Sequence, residues 1–147
     1  MYEVNTQSIP SKVLFLDFDG VLHPTSHGSA LFSQLPLLEE ALSDATCRIV
    51  ISSSWRFHVE LPKLQAHFSQ KVRAQIVGVT GEPYIGSYTR FHEINAYVNT
   101  HGIHDWVALD DAYWEFPKGC DQLIRCNPNT GLSRTEVKLL EAWLKSS

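Results

Sequence analysis

Two carboxylates in alternate positions, Asp17 and Asp19, follow the apolar run Val13-Leu-Phe-Leu16, and Gly20 lets the chain turn away behind them. Acids at the end of a buried strand are costly unless something positive lies between them. A hard cation such as Mg²⁺, with a phosphate held beside it, meets that need. A lone Asp-x-Asp-Gly would serve equally well as a turn closing a core strand. This chain, however, repeats the arrangement: Asp110-Asp111 ends the run Trp106-Val-Ala-Leu109, and Ser52, Ser53 and Ser54 end Arg48-Ile-Val-Ile51. Phosphoryl transfer asks a protein for a nucleophile, a proton shuttle, a metal and donors for the spreading charge. One carboxylate can attack phosphorus and become an aspartyl-phosphate. A second, just beyond it, can protonate the leaving oxygen and then activate water. Carboxylates from another strand can hold the Mg²⁺.

The elements that must position these groups follow from the apolar spacing. Strands are expected at about 12–17, at Arg48–Ser52, at Gln75–Val79 nearer an edge, at Trp106–Asp110 and at Asp121–Cys126. Between them, Pro36 opens a helix carrying Leu37, Leu38, Ala41 and Leu42, and Pro62 opens a short one with Leu64 and Phe68. Phe91, Ile94, Tyr97 and Val98 recur with helical spacing, and Gly102 is placed to end that helix. Ser133-Arg-Thr-Glu136 is a capping box before a last helix with Val137, Leu140, Trp143 and Leu144 inward. Strands alternating with helices give an α/β fold: three layers, Rossmann-like, around a five-stranded parallel sheet. Ligands of such sheets bind at the carboxyl ends of the strands. Asp17, Asp19, the serines and Asp110-Asp111 all fall there, so groups distant in sequence should meet at one edge.

Composition narrows the setting. The 147 residues suffice for one domain with a sizeable core, read here as a flexible arm over 1–10 and a single domain over 11–147. No apolar run is long enough to span a bilayer, and the N-terminus shows no signal-peptide pattern. Three cysteines without CxxC spacing read as reduced thiols in a cytoplasmic protein. A net charge of −4 argues against strong non-specific binding to nucleic acid, though it allows a local basic groove. The seven histidines lack metal-ligand spacing and read as surface or loop residues; His23 lies near enough to Asp19 to touch a substrate.

These residues resemble a known set. Asp17-Phe-Asp19-Gly-Val is similar to motif I of the haloacid dehalogenase (HAD) superfamily, where the first Asp is the nucleophile and the second the general acid/base. Ser53 resembles the motif II Ser/Thr that binds the phosphoryl group, with Ser52 and Ser54 as neighbouring candidates. Arg90 resembles the motif III basic residue, with Lys63, Lys71 and Lys118 as rivals, and Leu109-Asp110-Asp111 resembles motif IV, which completes the metal site. The set Ser53-Ser-Trp55-Arg56, Arg90-x-x-Glu-Ile, Leu-Asp-Asp and Asn127-Pro-Asn-Thr-Gly-Leu-Ser looks more closely like the HAD domain of Swiss Army Knife RNA repair proteins. Neither the gap from Asp19 to Ser53 nor that from Ser53 to Arg90 has room for a separate cap domain, so the resemblance implies a capless member with an open site.

The resulting expectation is a Mg²⁺-dependent phosphatase. In it Asp17 is nucleophile, Asp19 general acid/base, and Ser53 and Arg90 hold the phosphoryl oxygens. Asp17, Asp110, Asp111 and the backbone carbonyl of Asp19 hold the metal, with the split between Asp110 and Asp111 left open. Ser54, Trp55 and Trp114 are candidate substrate contacts, the aromatics (with Tyr113) as a stacking platform or as rim packing. The preferred substrate is a nucleic-acid terminal phosphate. Nucleotides, small metabolites or phosphoproteins are the alternative on the same scaffold, and a non-catalytic phosphate-binding module is the second. No stable protein partner and no membrane are implied.

Overall fold

A computed structural model describes residues 9–26 and 28–146; most of the expected N-terminal arm lies outside them. Five strands form one parallel sheet: β1 (Lys12–Leu16), β2 (Arg48–Ile51), β3 (Ile76–Val79), β4 (Asp105–Asp110) and β5 (Leu123–Arg125), in the order β3-β2-β1-β4-β5. The central strands β2, β1 and β4 are the most deeply buried, covered on both faces. Alternation along β1 sends Leu14 and Leu16 to one face and Val13 and Phe15 to the other.

On the first face lie α1 (Leu35–Leu42), the short α2 (Leu61–Gln65) and α3 (Gln70–Gln75), and α5 (Arg134–Lys145). They contribute Leu38, Leu42, Leu64, Val72, Val137 and Leu140 to one core. On the second face α4 (Thr89–His101) and the segment bearing Phe116 cover Val13, Phe15, Val50, Trp106 and Ala108. The three layers are those expected. Gly102 ends α4 in the left-handed region, and the Ser133/Glu136 capping box is formed, with Glu136 Oε1 accepting from the Ser133 N–H at 2.8 Å. One α-helix was not anticipated: α3, capped by the Ser69 hydroxyl, buries Val72 alone among its residues and so leaves no periodic trace.

β1 and β4 are neighbours in register, Leu16 beside Leu109, and β2 lies on the other side with Ile51 beside Leu16. The residues that follow these strands therefore stand side by side. The connection from β1 to β2 holds a loop and α1, and that from β2 to β3 two short helices; no cap domain is inserted. No helix among the described residues is long and apolar enough to cross a membrane.

Candidate active site

At the carboxyl ends of β1 and β4, Asp17, Asp110 and Asp111 each bring a carboxylate oxygen within 4.8 Å of the others. All three side chains are buried or nearly so, Asp110 completely. Gly20 makes the convergence possible. Its φ is +79°, and a Cβ there would stand 2.3 Å from both Cγ and Oδ2 of Asp111. Gly20→Ala is accordingly expected to push Asp111 out of the cluster and to cost about 1–2 kcal/mol of backbone strain. Thermal melts and a divalent-cation titration would check it: a fall in cation affinity of at least about tenfold, one lost ligand's worth, is expected.

Arg90, on the first turn of α4, enters this cluster from the other face of the sheet. Its Nη1 donates to Asp110 Oδ2 at 2.5 Å and lies 3.4 Å from Asp17 Oδ1. Burial disfavours the guanidinium charge, but Asp110 and Asp17 outweigh that and hold it above its ordinary value. Burial, then the Asp110 charge, push the Asp17 carboxyl well above the usual range, with Arg90 pulling the other way. Asp111 is raised too, by burial first, and it shares a hydrogen bond with Asp17.

The network continues. Glu93, one turn along α4, accepts from Arg56 at 3.0 Å, lies 3.8 Å from Arg90, and takes the backbone N–H of Tyr84 at 3.1 Å. Arg56 donates in turn to the carbonyls of Ser52, Ser53, Thr80 and Gly81. Asp17, Asp110, Asp111 and Glu93, joined through its charge by Glu115, thus outnumber the two guanidiniums they face. Hard oxygen donors with that excess fit a divalent cation such as Mg²⁺.

Asp19 stands apart. Its side chain is 44% exposed and lies outside the three-carboxylate cluster; Oδ1 is 2.7 Å from His23 Nε2, and Oδ2 accepts from Trp55 Nε1 at 3.1 Å. His23 sits in a loop, one of the two settings expected of the histidines, but it is fully buried there rather than at the surface. The loop that carries it is braced by the Asn127–Leu132 segment, through Thr25 N–H to Pro128 O and Leu132 N–H to Val21 O. Gly131 permits the approach, since a Cβ would meet Val21 O at 2.9 Å.

Of the three serines, Ser53 caps a short helical turn, its Oγ accepting from the Trp55 N–H at 3.2 Å. Ser54 is exposed and lines an open cleft of about 450 Å³ with Asp19, Trp55, His58 and Val59. Ser52 is fully buried, its Oγ has no hydrogen-bond partner, and it comes one step after the Leu16–Ile51 pair, beside Asp17. The register that reveals this is invisible in the sequence, although an orphaned buried hydroxyl is the sort of group a ligand completes. Trp55 is packed edge-on against Phe18 and Phe32, whereas Tyr113 and Trp114, on the turn after Asp111, are exposed, Tyr113 with the Arg125 guanidinium 3.7 Å from its ring centre. A larger cavity, about 580 Å³, opens at the opposite edge, around Cys47, Gln75, Tyr97 and His101, away from all these groups.

No curated protein and no solved structure matches the chain. A family model does, that of the HAD domain in Swiss Army Knife RNA repair proteins, over residues 13–137. That span runs from β1 into α5 and takes in both aspartate pairs, the serines, Arg56, Arg90 and Glu93. Sheet, strand-end carboxylates and sequence agree: the chain belongs to this HAD family.

Proposed function

We propose that the protein is a Mg²⁺-dependent phosphatase that works through an aspartyl-phosphate on Asp17 and acts on a phosphate at a nucleic-acid end. The observation that carries the reading is the division of labour among the aspartates. Three are buried together with Arg90, while the fourth, Asp19, faces an open cleft. Asp17, Asp110 and Asp111, with the backbone carbonyl of Asp19, would hold Mg²⁺, which when bound neutralises phosphoryl charge.

The chain's own residues do the rest. Arg90 opposes the burial that would keep Asp17 protonated, and so favours the anion that attacks phosphorus. It also balances Asp110 and, in this reading, donates with Ser52 to the phosphoryl oxygens. Asp19 protonates the leaving oxygen and then takes a proton from water. The phosphoryl contact given to Ser53 by sequence passes in this reading to Ser52, whose hydroxyl has no other partner, with Ser53 ordering the turn beside it. Ser52→Ala should then lower kcat/KM by about 10- to 100-fold, the range for one hydrogen bond to a charged group, and Ser53→Ala by less.

A site without a cap suits a substrate that brings its own bulk. Family membership among RNA repair proteins favours a nucleic-acid end, and Trp114 and Tyr113 offer exposed rings for its bases. The three free thiols suit a reducing, cytoplasmic setting. The test is phosphate release from p-nitrophenyl phosphate, nucleotides and 3′- or 5′-phosphorylated oligonucleotides, with Mg²⁺ and with EDTA. Turnover is expected with Mg²⁺, lost in EDTA, and fastest on oligonucleotide ends. Faster turnover of nucleotides would move the substrate class, and folded, Mg²⁺-loaded protein idle on every ester would leave a binding module.

A further inference from the structure

We propose that His23 and Trp55 are positioning residues, a two-sided clamp that fixes Asp19 in the orientation in which it exchanges protons with substrate and water; the inference rests on the phosphatase reading above. A half-exposed Asp at a strand end would ordinarily rotate about two bonds. Here both of its oxygens are held, Oδ1 by His23 and Oδ2 by Trp55.

The direction of each contact follows from chemistry. The Phe32 backbone N–H donates to His23 Nδ1 at 3.2 Å. A nitrogen that accepts carries no hydrogen, so the hydrogen of this ring is on Nε2, pointing at Asp19. Indole Nε1 is a donor only. Neither partner can therefore take the shuttled proton from Asp19. Each uses one lone pair of one oxygen and leaves another for the proton in transit.

The clamp is itself rigid. The His23 ring meets Phe32 edge-on at 5.3 Å, and Trp55 meets Phe18 at 5.2 Å and Phe32 at 5.7 Å. Gly20 N–H donates to His23 O at 2.8 Å, which closes the turn between Asp19 and His23.

The reaction it would serve balances as follows. An Asp17 oxygen bonds to phosphorus, the bond from phosphorus to the leaving oxygen breaks, and the Asp19 proton passes to that oxygen. Water then bonds to phosphorus and gives a proton to Asp19, the Asp17–phosphorus bond breaks, and inorganic phosphate leaves. Misplacing Asp19 harms the first step only where the leaving oxygen needs that proton.

The experiment compares p-nitrophenyl phosphate, whose phenolate departs unprotonated, with an alkyl ester, β-glycerophosphate. Trp55→Phe and His23→Phe keep the ring packing and remove one donor each; His23→Gln keeps a donor. Both Phe variants should lose at least about tenfold more kcat/KM, which reports the first step alone, on the alkyl than on the aryl ester, a part of the usual acid–base contribution. KM should change little, and His23→Gln should recover some of the loss. Equal losses of kcat/KM on the two esters would reduce the pair to packing and overturn the proposal. Should His23→Phe fold poorly for want of a partner to Phe32 N–H, Trp55→Phe decides alone. Asp19→Asn run alongside sets the full leaving-group effect, and its absence there would sink the acid–base reading itself. The clamp has a readout independent of turnover: in ¹⁵N NMR, the Trp55 indole and His23 Nε2–H signals should move in Asp19→Asn, and unmoved signals would refute it.

Discussion

Asp17→Asn should abolish phosphate release, by on the order of 10³-fold or more, while making the metal-free protein more stable at neutral pH. Both halves come from the same surroundings. Asp17 is buried beside Asp110 and Asp111, and burial followed by the Asp110 charge raises its carboxyl well above the usual range. A carboxyl raised in the folded state contributes stability that is fully present below its unfolded value, near 3.9, and that is lost as pH climbs through the folded value. At neutral pH, where the unfolded carboxyl is ionised, the folded protein therefore meets a cost, in holding either the buried charge or the extra proton, that an asparagine of the same shape never meets. The gain in melting temperature should be clear at pH 7.5 and vanish as pH falls toward 4. Melts of the two proteins in EDTA across that range, next to turnover in Mg²⁺, check it. A residue kept for structure would lose stability and activity together. If Asp17→Asn is both active and less stable, the nucleophile assignment is wrong.

How much of this could be read from the chain divides by the kind of signal. The sheet could, because β1, β2 and β4 are apolar runs that end abruptly in Asp17, Ser52 and Asp110-Asp111, and abrupt endings mark the carboxyl edge of a parallel sheet. Gly102 and the Ser133/Glu136 box gave the ends of α4 and α5 for the same reason, since each carries a local conformational rule. α3 was not legible, since one buried valine in six residues has no period. Nor was His23, which lies in a turn-rich loop where burial depends on what packs over it, here Phe32 and Trp55. Ser52 and Ser53 could be separated only by register, and register needs the neighbouring strand. Arg56 and Glu93 entered the reading only through family likeness; their pairing at 3.0 Å spans two elements. Loop and cross-element contacts are tertiary facts, and no window of sequence contains them.

Arg90→Met should act in the opposite sense to Asp17→Asn and cost about 3–5 kcal/mol, the usual penalty for removing one partner of a buried ion pair. Asp110 is fully buried, and Arg90 Nη1 is its guanidinium partner at 2.5 Å; Asp17 loses the larger of the two nearby guanidinium charges, the other being Arg56, that favour its ionised form. Methionine fills much of the volume, so the loss is electrostatic rather than a cavity. Without Arg90 the Asp17 carboxyl rises further still, which fixes the pH dependence: the deficit is largest at neutral pH and shrinks as acid protonates the cluster. Mg²⁺ should restore part of the stability by supplying the missing positive charge, and the variant should respond to Mg²⁺ more steeply than the parent. Because both substitutions act on one charge cluster, their effects should not add. Asp17→Asn placed on Arg90→Met should recover more stability than it confers on the parent, by about 0.5–3 kcal/mol of coupling. Urea melts of the four proteins at pH 5 and 7.5, with and without Mg²⁺, measure every term. A loss below about 1 kcal/mol for Arg90→Met, the scale of an exposed pair, would mean that water reaches the cluster and that Arg90 is free to turn outward. Coupling near the upper end would instead make the charge imbalance at the end of β1 and β4 the feature that a bound cation relieves.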